Sequence, residues 1–279
     1  MASLIDRTGK DAPVLEFRVS TWYGDRQVLE EAQGELRAGE SLSLVGLSGS
    51  GKSTLALALL GLLRYRGGRF SGSVRLCGRE LSRANERELR DIRGRVLAYV
   101  PQNAAAALNG RLRIRVLLEE TWRAHQTRRP PEGLWEELLR SVQLPANADF
   151  LDHRAGELST GQGQRLLIAL AVMHNPKVLI ADEPTSALDA ITQMAILDLF
   201  RDLNRRRNIG LLFISHDLLS VASISARVSI LHSGRIVESG PPSEIFLAPQ
   251  HPFTRELVAA MPAKPAFGEM ISRVDARRG

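Results

Sequence analysis

A chain of 279 residues, 44% of them hydrophobic, is long enough to bury a core without staples, either as one large domain or as a domain carrying a subdomain. The single Cys77 excludes an intrachain disulfide framework and suits a reducing compartment, and no apolar run approaches the roughly 20 residues of a membrane-spanning helix. The formal net charge is +6, but the arginines are dispersed from Arg64 to Arg273 rather than gathered into the patch or stripe of a nucleic-acid face. The N-terminal stretch, with Asp6 and Asp11, lacks the apolar core of a secretory signal. A soluble, cytoplasmic protein is expected.

In chain order, Val14 to Ser20 alternates Leu15, Phe17 and Val19 and predicts a strand that ends at Trp22-Tyr23-Gly24. Gln27 to Leu36 predicts a second. The Tyr23 ring suits stacking on a base, and it equally suits a plain aromatic at a strand end. Leu42 to Val45 then leads into Gly46-Leu47-Ser48-Gly49-Ser50-Gly51-Lys52-Ser53-Thr54, the pattern G-x-x-x-x-G-K-[ST]. Behind it Leu55, Leu59, Leu62 and Leu63 share a helix face. Strand, glycine loop and helix form the context that a phosphate cradle needs. Gly46, Gly49 and Gly51 allow the backbone to curl so that successive N–H groups point at an anion. The helix start adds its positive dipole end, Lys52 reaches the β- and γ-phosphates, and the Ser53 hydroxyl can ligate Mg²⁺.

Further on, Ser73 to Leu76 reads as a strand and Glu86 to Arg90 as a charged helix. The buried run Val96-Leu97-Ala98-Tyr99-Val100 ends in Pro101-Gln102-Asn103. From Leu112 to Leu144 the pattern is helical, interrupted by Pro130-Pro131. Leu158-Ser159-Thr160-Gly161-Gln162 opens another helix, and Ser159 with Gln162 fits a capping box. Val178 to Ala181 predicts a strand ending in Asp182-Glu183, then a helix from Ala190 to about Asn204. Leu211 to Ile214 is a strand ending in Ser215-His216. Short strands near Val228 to Leu231 and Ile236-Val237 follow, then Gly240-Pro241-Pro242 and a short helix from Phe253 to Ala260.

Four apolar runs separated by helices imply a mainly parallel α/β sheet flanked by helices. Each run delivers a polar residue to its C-terminal edge, where such sheets bind ligands: Lys52, Gln102, Asp182 and His216. Asp182 suits a divalent cation, Glu183 a base for the attacking water, Gln102 the metal or that water, and His216 the γ-phosphate. Against these stand a capping Asp, a surface carboxylate and a satisfied core His. Ser215-His216-Asp217 is not a hydrolase triad, because sequence neighbours do not face one another as a triad requires.

The ordered set formed by the glycine loop, Pro101-Gln102, Leu158-Ser159-Thr160-Gly161-Gln162, Asp182-Glu183, Ser186-Ala187-Leu188-Asp189 and His216 resembles the nucleotide-binding subunit of an ABC transporter over about residues 14 to 260. The resemblance implies the P-loop NTPase fold of ABC type, with an antiparallel β part and a helical subdomain. The catalytic core would be 14–102 with 176–240, the helical subdomain 103–175 and a C-terminal extension 241–279. It also implies ATP and Mg²⁺ as ligands, with Tyr23 stacking on adenine and metal held by Ser53, Gln102 and Asp182. Ser159, Gly161 and Gln162 would complete the ATP site of a second, head-to-tail cassette, same or homologous. Two membrane permease subunits would be driven from the cytoplasmic face of the membrane, supplied by an extracytoplasmic solute-binding protein.

Gly234-Arg235-Ile236-Val237-Glu238-Ser239-Gly240, Leu108-Asn109 and Pro249-Gln250-His251-Pro252-Phe253-Thr254 are similar to the peptide and nickel importer branch. Asn103-Ala104 and Arg154-Ala155-Gly156-Glu157 depart from that branch's usual Asp-Pro and Tyr-Pro-His-Glu, and no cysteines follow Pro265. The competing reading is a soluble ABC ATPase acting on nucleic acid or ribosomes. Against it, the 103–157 segment is too short and too Pro-broken for the coiled coils of DNA-repair relatives, and the chain carries one cassette; no nucleic acid is expected. Thr160 stands where the family usually has glycine, and a positive φ there would strain the loop by about 1–3 kcal/mol.

Overall fold

The computed structural model describes residues 12–260; Asp6, Asp11 and the part of the expected C-terminal extension that holds Pro265 lie outside the described residues. Two sheets share the work. An antiparallel sheet of order β2-β1-β4-β5 is built from β1 (Leu15–Tyr23), β2 (Arg26–Leu36), β4 (Gly68–Leu76) and the short β5 (Arg79–Glu80). Between them in sequence, β3 (Ser41–Val45) and α1 (Lys52–Leu59) enter the second sheet and its phosphate loop. That sheet has the order β10-β9-β3-β8-β7-β6, from β6 (Leu97–Val100), β7 (Val178–Asp182), β8 (Gly210–Ser215), β9 (Arg227–His232) and β10 (Arg235–Gly240). Its five strands from β9 to β6 are parallel and β10 is antiparallel.

The strands of the parallel sheet are buried on both faces, which is why they read as continuous apolar runs. On one face Leu42, Leu44, Ile180, Leu212 and Ile214 pack with Leu55 and Leu59 of α1 and with the antiparallel sheet. On the other, Ala98, Leu179, Leu211, Phe213 and Ile230 pack against helices. These are α7 (Thr160–Val172), α8 (Ala190–Arg207) and α9 (Leu218–Ile224), preceded in the chain by α2 (Glu86–Ile92), α3 (Ala104–Ala107), α4 (Ile114–Arg123), α5 (Leu134–Ser141) and α6 (Ala148–Asp152). Phe200 of α8 meets Phe213 of β8 edge to face, 6.0 Å between centroids, an arrangement worth about 1 kcal/mol beyond its area. The chain closes with α10 (Pro242–Leu247) and α11 (Pro252–Ala259).

Several elements differ from the sequence reading. The first strand runs from Leu15 past the expected end at Ser20 to Tyr23, because β2 and β4 flank it along its length. β4 begins at Gly68, earlier than its apolar part, for the same reason. The short helices α3, α6, α9 and α10 carry too few turns for a periodicity to emerge; three of them are fixed by end groups, with Asn103, Asn147 and Asp217 accepting amide hydrogen bonds. Among the described residues, no helix is long and apolar enough to cross a membrane.

Glu80 pins the β4–β5 hairpin. Its carboxylate accepts the Val74 amide at 3.0 Å, the Ser82 amide at 3.1 Å and the hydroxyls of Ser73 and Ser82. Burial pushes its pKa up, but these hydrogen bonds outweigh it and hold the group at about 2. A depressed carboxylate stabilises the fold above its unfolded pKa of roughly 4.3, and that contribution fades as pH falls toward the folded value. Glu80→Gln is therefore expected to lower unfolding stability at pH 7 by about 1 kcal/mol. In urea titrations the gap to the native protein should narrow from pH 5 to pH 3, and a gap constant across that range would reject the assignment.

Candidate active site at the sheet edge

All five residues of β3 are buried, and the chain leaves them into a loop that doubles back over the strand end. Gly49 and Gly51 adopt left-handed conformations, φ 79° and 108°, and Gly51 caps α1 without a side chain. The first amides of the helix therefore face the loop with no side-chain acceptor of their own, the condition for an anion site. Gly46 serves differently from the expectation that it supplies curl. Its φ is not positive; a Cβ there would lie 2.3 Å from the Leu231 carbonyl of β9 and 2.7 Å from Ser50 Oγ. It is required by close approach. Ser48 and Ser53 are exposed on the rim, and Thr54 is half-buried one step into the helix.

Lys52 is only 5% exposed, and its ammonium turns back into the loop, donating to the carbonyls of Gly46 at 2.8 Å and Leu47 at 3.0 Å. Burial lowers its pKa, and the charges of Glu183 and Asp182 oppose that shift. Asp182 ends the fully buried β7. Burial raises its pKa, while the Ser53 hydroxyl and Tyr99 pull it back. Its Oδ2 accepts from the Tyr99 hydroxyl at 3.1 Å, and its buried Oδ1 has no hydrogen-bond partner. A carboxylate oxygen left free beside a serine hydroxyl is a hard oxygen donor pair of the kind Mg²⁺ takes, with phosphate and water completing its shell. The residues present fit that ion.

Glu183 follows in a left-handed backbone conformation, φ 46°, a strain of about 1–2 kcal/mol for a residue with a side chain. Its amide is tied to the Ile214 carbonyl of β8 at 2.8 Å. The turn brings its carboxylate among three groups from separate segments, the start of α1, the loop after β6 and the turn after β8. Oε2 accepts from Gln102 Nε2 at 3.2 Å and lies 3.1 Å from His216 Nδ1; Oε1 lies 3.8 Å from Lys52 Nζ. Ser186 joins them, donating to the Glu183 carbonyl at 3.1 Å and accepting from Gln102 at 3.3 Å. Lys52, Gln102, Asp182, Glu183 and His216 thus meet at one edge.

Ser159, Gly161 and Gln162 stand apart from this cluster. Ser159 and Gln162 form the capping box of α7, amide to side chain at 3.0 and 3.3 Å. No hydrogen bond or ion pair among the described residues links them to Lys52 or Glu183. At Gly161 a Cβ would come 2.7 Å from Thr192 Cγ2 of α8. Thr160 is the first helical residue of α7, exposed and outside the positive-φ residues, so the strain considered for it is absent. Tyr23 lies half-buried at the end of β1, its register partner Gly68, over which the ring passes. Tyr99 and Ser186 escaped the sequence reading as site residues. A tyrosine inside a buried run and a serine in a turn carry no signal until the strands are placed side by side.

An anion-binding loop with a buried lysine, a paired Asp-Glu step and a histidine can bind a polyphosphate and direct a water at its terminal phosphorus. The ABC transporter family profile matches residues 29–186. This chain belongs to the ABC transporter family. As its members' ATP-binding subunits do, it hydrolyses ATP. The ABC ATPase is 35% identical over 258 residues to the oligopeptide transport ATP-binding protein OppD of Bacillus subtilis (strain 168), covering 91% of this chain and 72% of the relative. It is 37% identical over 257 residues to OppD of Escherichia coli (strain K12), covering 91% and 76%. With the glutathione import ATP-binding protein GsiA of E. coli (strain K12) it shares 40% over 235 residues, 81% of this chain and 38% of that one. Among solved structures, an ATP-binding subunit of an ABC transporter superposes with TM-score 0.69 at 25% identity, covering 92% of this chain and 99% of that one. The dimeric, post-hydrolysis cassette MJ0796 bound to ADP and phosphate gives TM-score 0.69 at 25% identity, covering 82% and 98%.

The two kinds of loop glycine predict different variants. Gly46→Ala drives a methyl against a backbone carbonyl and is expected to abolish ATP binding. Gly49→Ala meets nothing within 4 Å and pays only left-handed strain, about 1–2 kcal/mol, so ATP binding should weaken no more than about 30-fold. Titration with a fluorescent ATP analogue checks both, and equal losses in the two variants would contradict the distinction.

Proposed function

We propose that this ABC ATPase is the motor of an importer that takes up peptides, with a nickel-type solute as the narrower possibility within the same branch. The similarity to OppD over nine tenths of the chain and to GsiA supports the peptide class, from oligopeptides to a tripeptide thiol. Its core is assigned to residues 14–102 and 176–240, its helical subdomain to 103–175 and its C-terminal extension to 241–279. It sits on the cytoplasmic face of the membrane, paired head to tail with a second cassette and docked on two permease subunits. A solute-binding protein on the far side selects cargo.

The single observation that carries the mechanism is the Glu183 carboxylate held between Gln102, His216 and Lys52. Gly46, Ser48, Gly49, Ser50, Gly51 and Thr54 shape the loop that receives the phosphates, and Lys52 exchanges its loop carbonyls for β- and γ-phosphate oxygens. Ser53, Asp182 and Gln102 would hold Mg²⁺, which would neutralise charge on the phosphates. Glu183 takes a proton from the attacking water, and His216 donates to the γ-phosphate and orients Glu183. Tyr23 stacks on adenine. Ser159, Gly161 and Gln162, unconnected to their own chain's cluster, present a helix N-terminus and a hydroxyl to the partner's ATP, a reading supported by the exposure of Ser159 and Thr160. Gln102, placed between the sheet edge and the helical subdomain, relays occupancy toward the permeases.

Glu183→Gln keeps the side chain's size and shape but removes the base. Phosphate release should fall by about two orders of magnitude or more while ATP binding persists, and an ATP-stabilised dimer should appear in size-exclusion chromatography. Near-native turnover in this variant would place the base elsewhere. ATP-dependent peptide uptake by the reconstituted complex tests the cargo class.

A further inference from the structure

Tyr99 belongs to β6, the edge strand of the parallel sheet, three residues before Gln102. In register it lies opposite Ile180 of β7. Its side chain reaches two residues further along the neighbouring strand, where the hydroxyl donates to Asp182 Oδ2 at 3.1 Å. The ring is partly buried, and Asp182 is 4% exposed, so bulk water does not compete freely for that oxygen. The other carboxylate oxygen, Oδ1, is buried without a partner, and the Ser53 hydroxyl faces the same carboxylate.

The terminal torsion of an aspartate is broad and roughly two-fold. Left to itself, the Asp182 carboxylate could turn either oxygen toward Ser53. A donor fixed on a strand removes that freedom by occupying one oxygen. We propose that Tyr99 is a positioning residue that anchors Asp182 Oδ2 and so reserves Oδ1 for the divalent cation. This rests on the assignment of Asp182 to that cation. Outer-sphere hydrogen bonds of this kind typically change metal affinity 10–100-fold when removed. Because Tyr99 and Gln102 lie on one short stretch, a movement of the Gln102 loop also reaches the carboxylate through this bond. The residue thus ties the metal ligand to the segment assigned to permease coupling.

Tyr99→Phe keeps the ring and deletes only the donor. The probe is Mn²⁺, followed by electron paramagnetic resonance on the full chain with a non-hydrolysable ATP analogue. Mn²⁺ affinity should fall about tenfold, and the Mg²⁺ concentration for half-maximal ATPase should rise in parallel. Analogue binding in EDTA should stay within twofold of the native protein, which a general loosening of the site would not allow. Mn²⁺ affinity unchanged within twofold, or an equal loss of metal-free nucleotide binding, overturns the proposal. Asp182→Asn separates the two levels. If it weakens Mn²⁺ binding and Tyr99→Phe does not, the positioning role alone fails; if neither does, the metal assignment fails with it.

Discussion

Charge can enter a parallel sheet that is buried on both faces only at the strand ends, and this constraint organises the molecule. β7 and β8 are buried at every residue, so an ionisable group within them would be stranded in a medium where its hydration is lost. At their C-terminal ends the chain meets a partly desolvated edge instead. There Lys52, Asp182 and Glu183 sit close enough to offset one another, and the reduced dielectric makes each interaction stronger than it would be in water. The opposed shifts of Lys52 and Asp182, both caused first by burial, record this balance. The same edge that is costly for isolated charge is therefore well suited to a polyphosphate.

At Glu183, local strain serves the chemistry. Glu183 occupies the left-handed region, and its amide is nevertheless satisfied by β8. The distortion aims the carboxylate across β7 toward Gln102 on one side and His216 on the other. An ordinary extended continuation would carry alternate side chains to opposite faces of the sheet and would not gather these groups. Asp182 and Glu183 are neighbours with different tasks because the backbone turns between them. One faces Ser53 and Tyr99, the other Lys52, Gln102 and His216.

The helical region answers to another logic. α7 is anchored in the core by Leu166, Ile168 and Val172, yet its N-terminus with Ser159 and Thr160 is exposed. A capping box secures that end internally, so the helix start persists without a partner. Under the proposed head-to-tail pairing, this exposed polar start would meet phosphate bound by another cassette. Thr160 is compatible with this role because its backbone is helical, and a branched Cβ is tolerated there as it would not be at positive φ.

Much of the site was legible in the sequence because its parts are local. The glycine loop, the strand before it and the helix behind it occupy one continuous stretch, and the remaining polar residues stand directly after apolar runs. Strand order was not legible. Nothing in residues 97–100 states that β6 lies at the edge beside β7, nor that β8 separates β7 from β3. Those neighbours are chosen by packing between segments far apart in the chain. The contacts that depend on them stayed hidden as well: Tyr99 with Asp182, Ser186 with Gln102, and the Leu231 carbonyl that makes Gly46 indispensable. By itself the sequence determined which residues could carry phosphate chemistry, since residue type and local spacing set turn geometry and charge. Only the tertiary structure decided which of them touch, because side chains from different strands become neighbours through the register of the sheet.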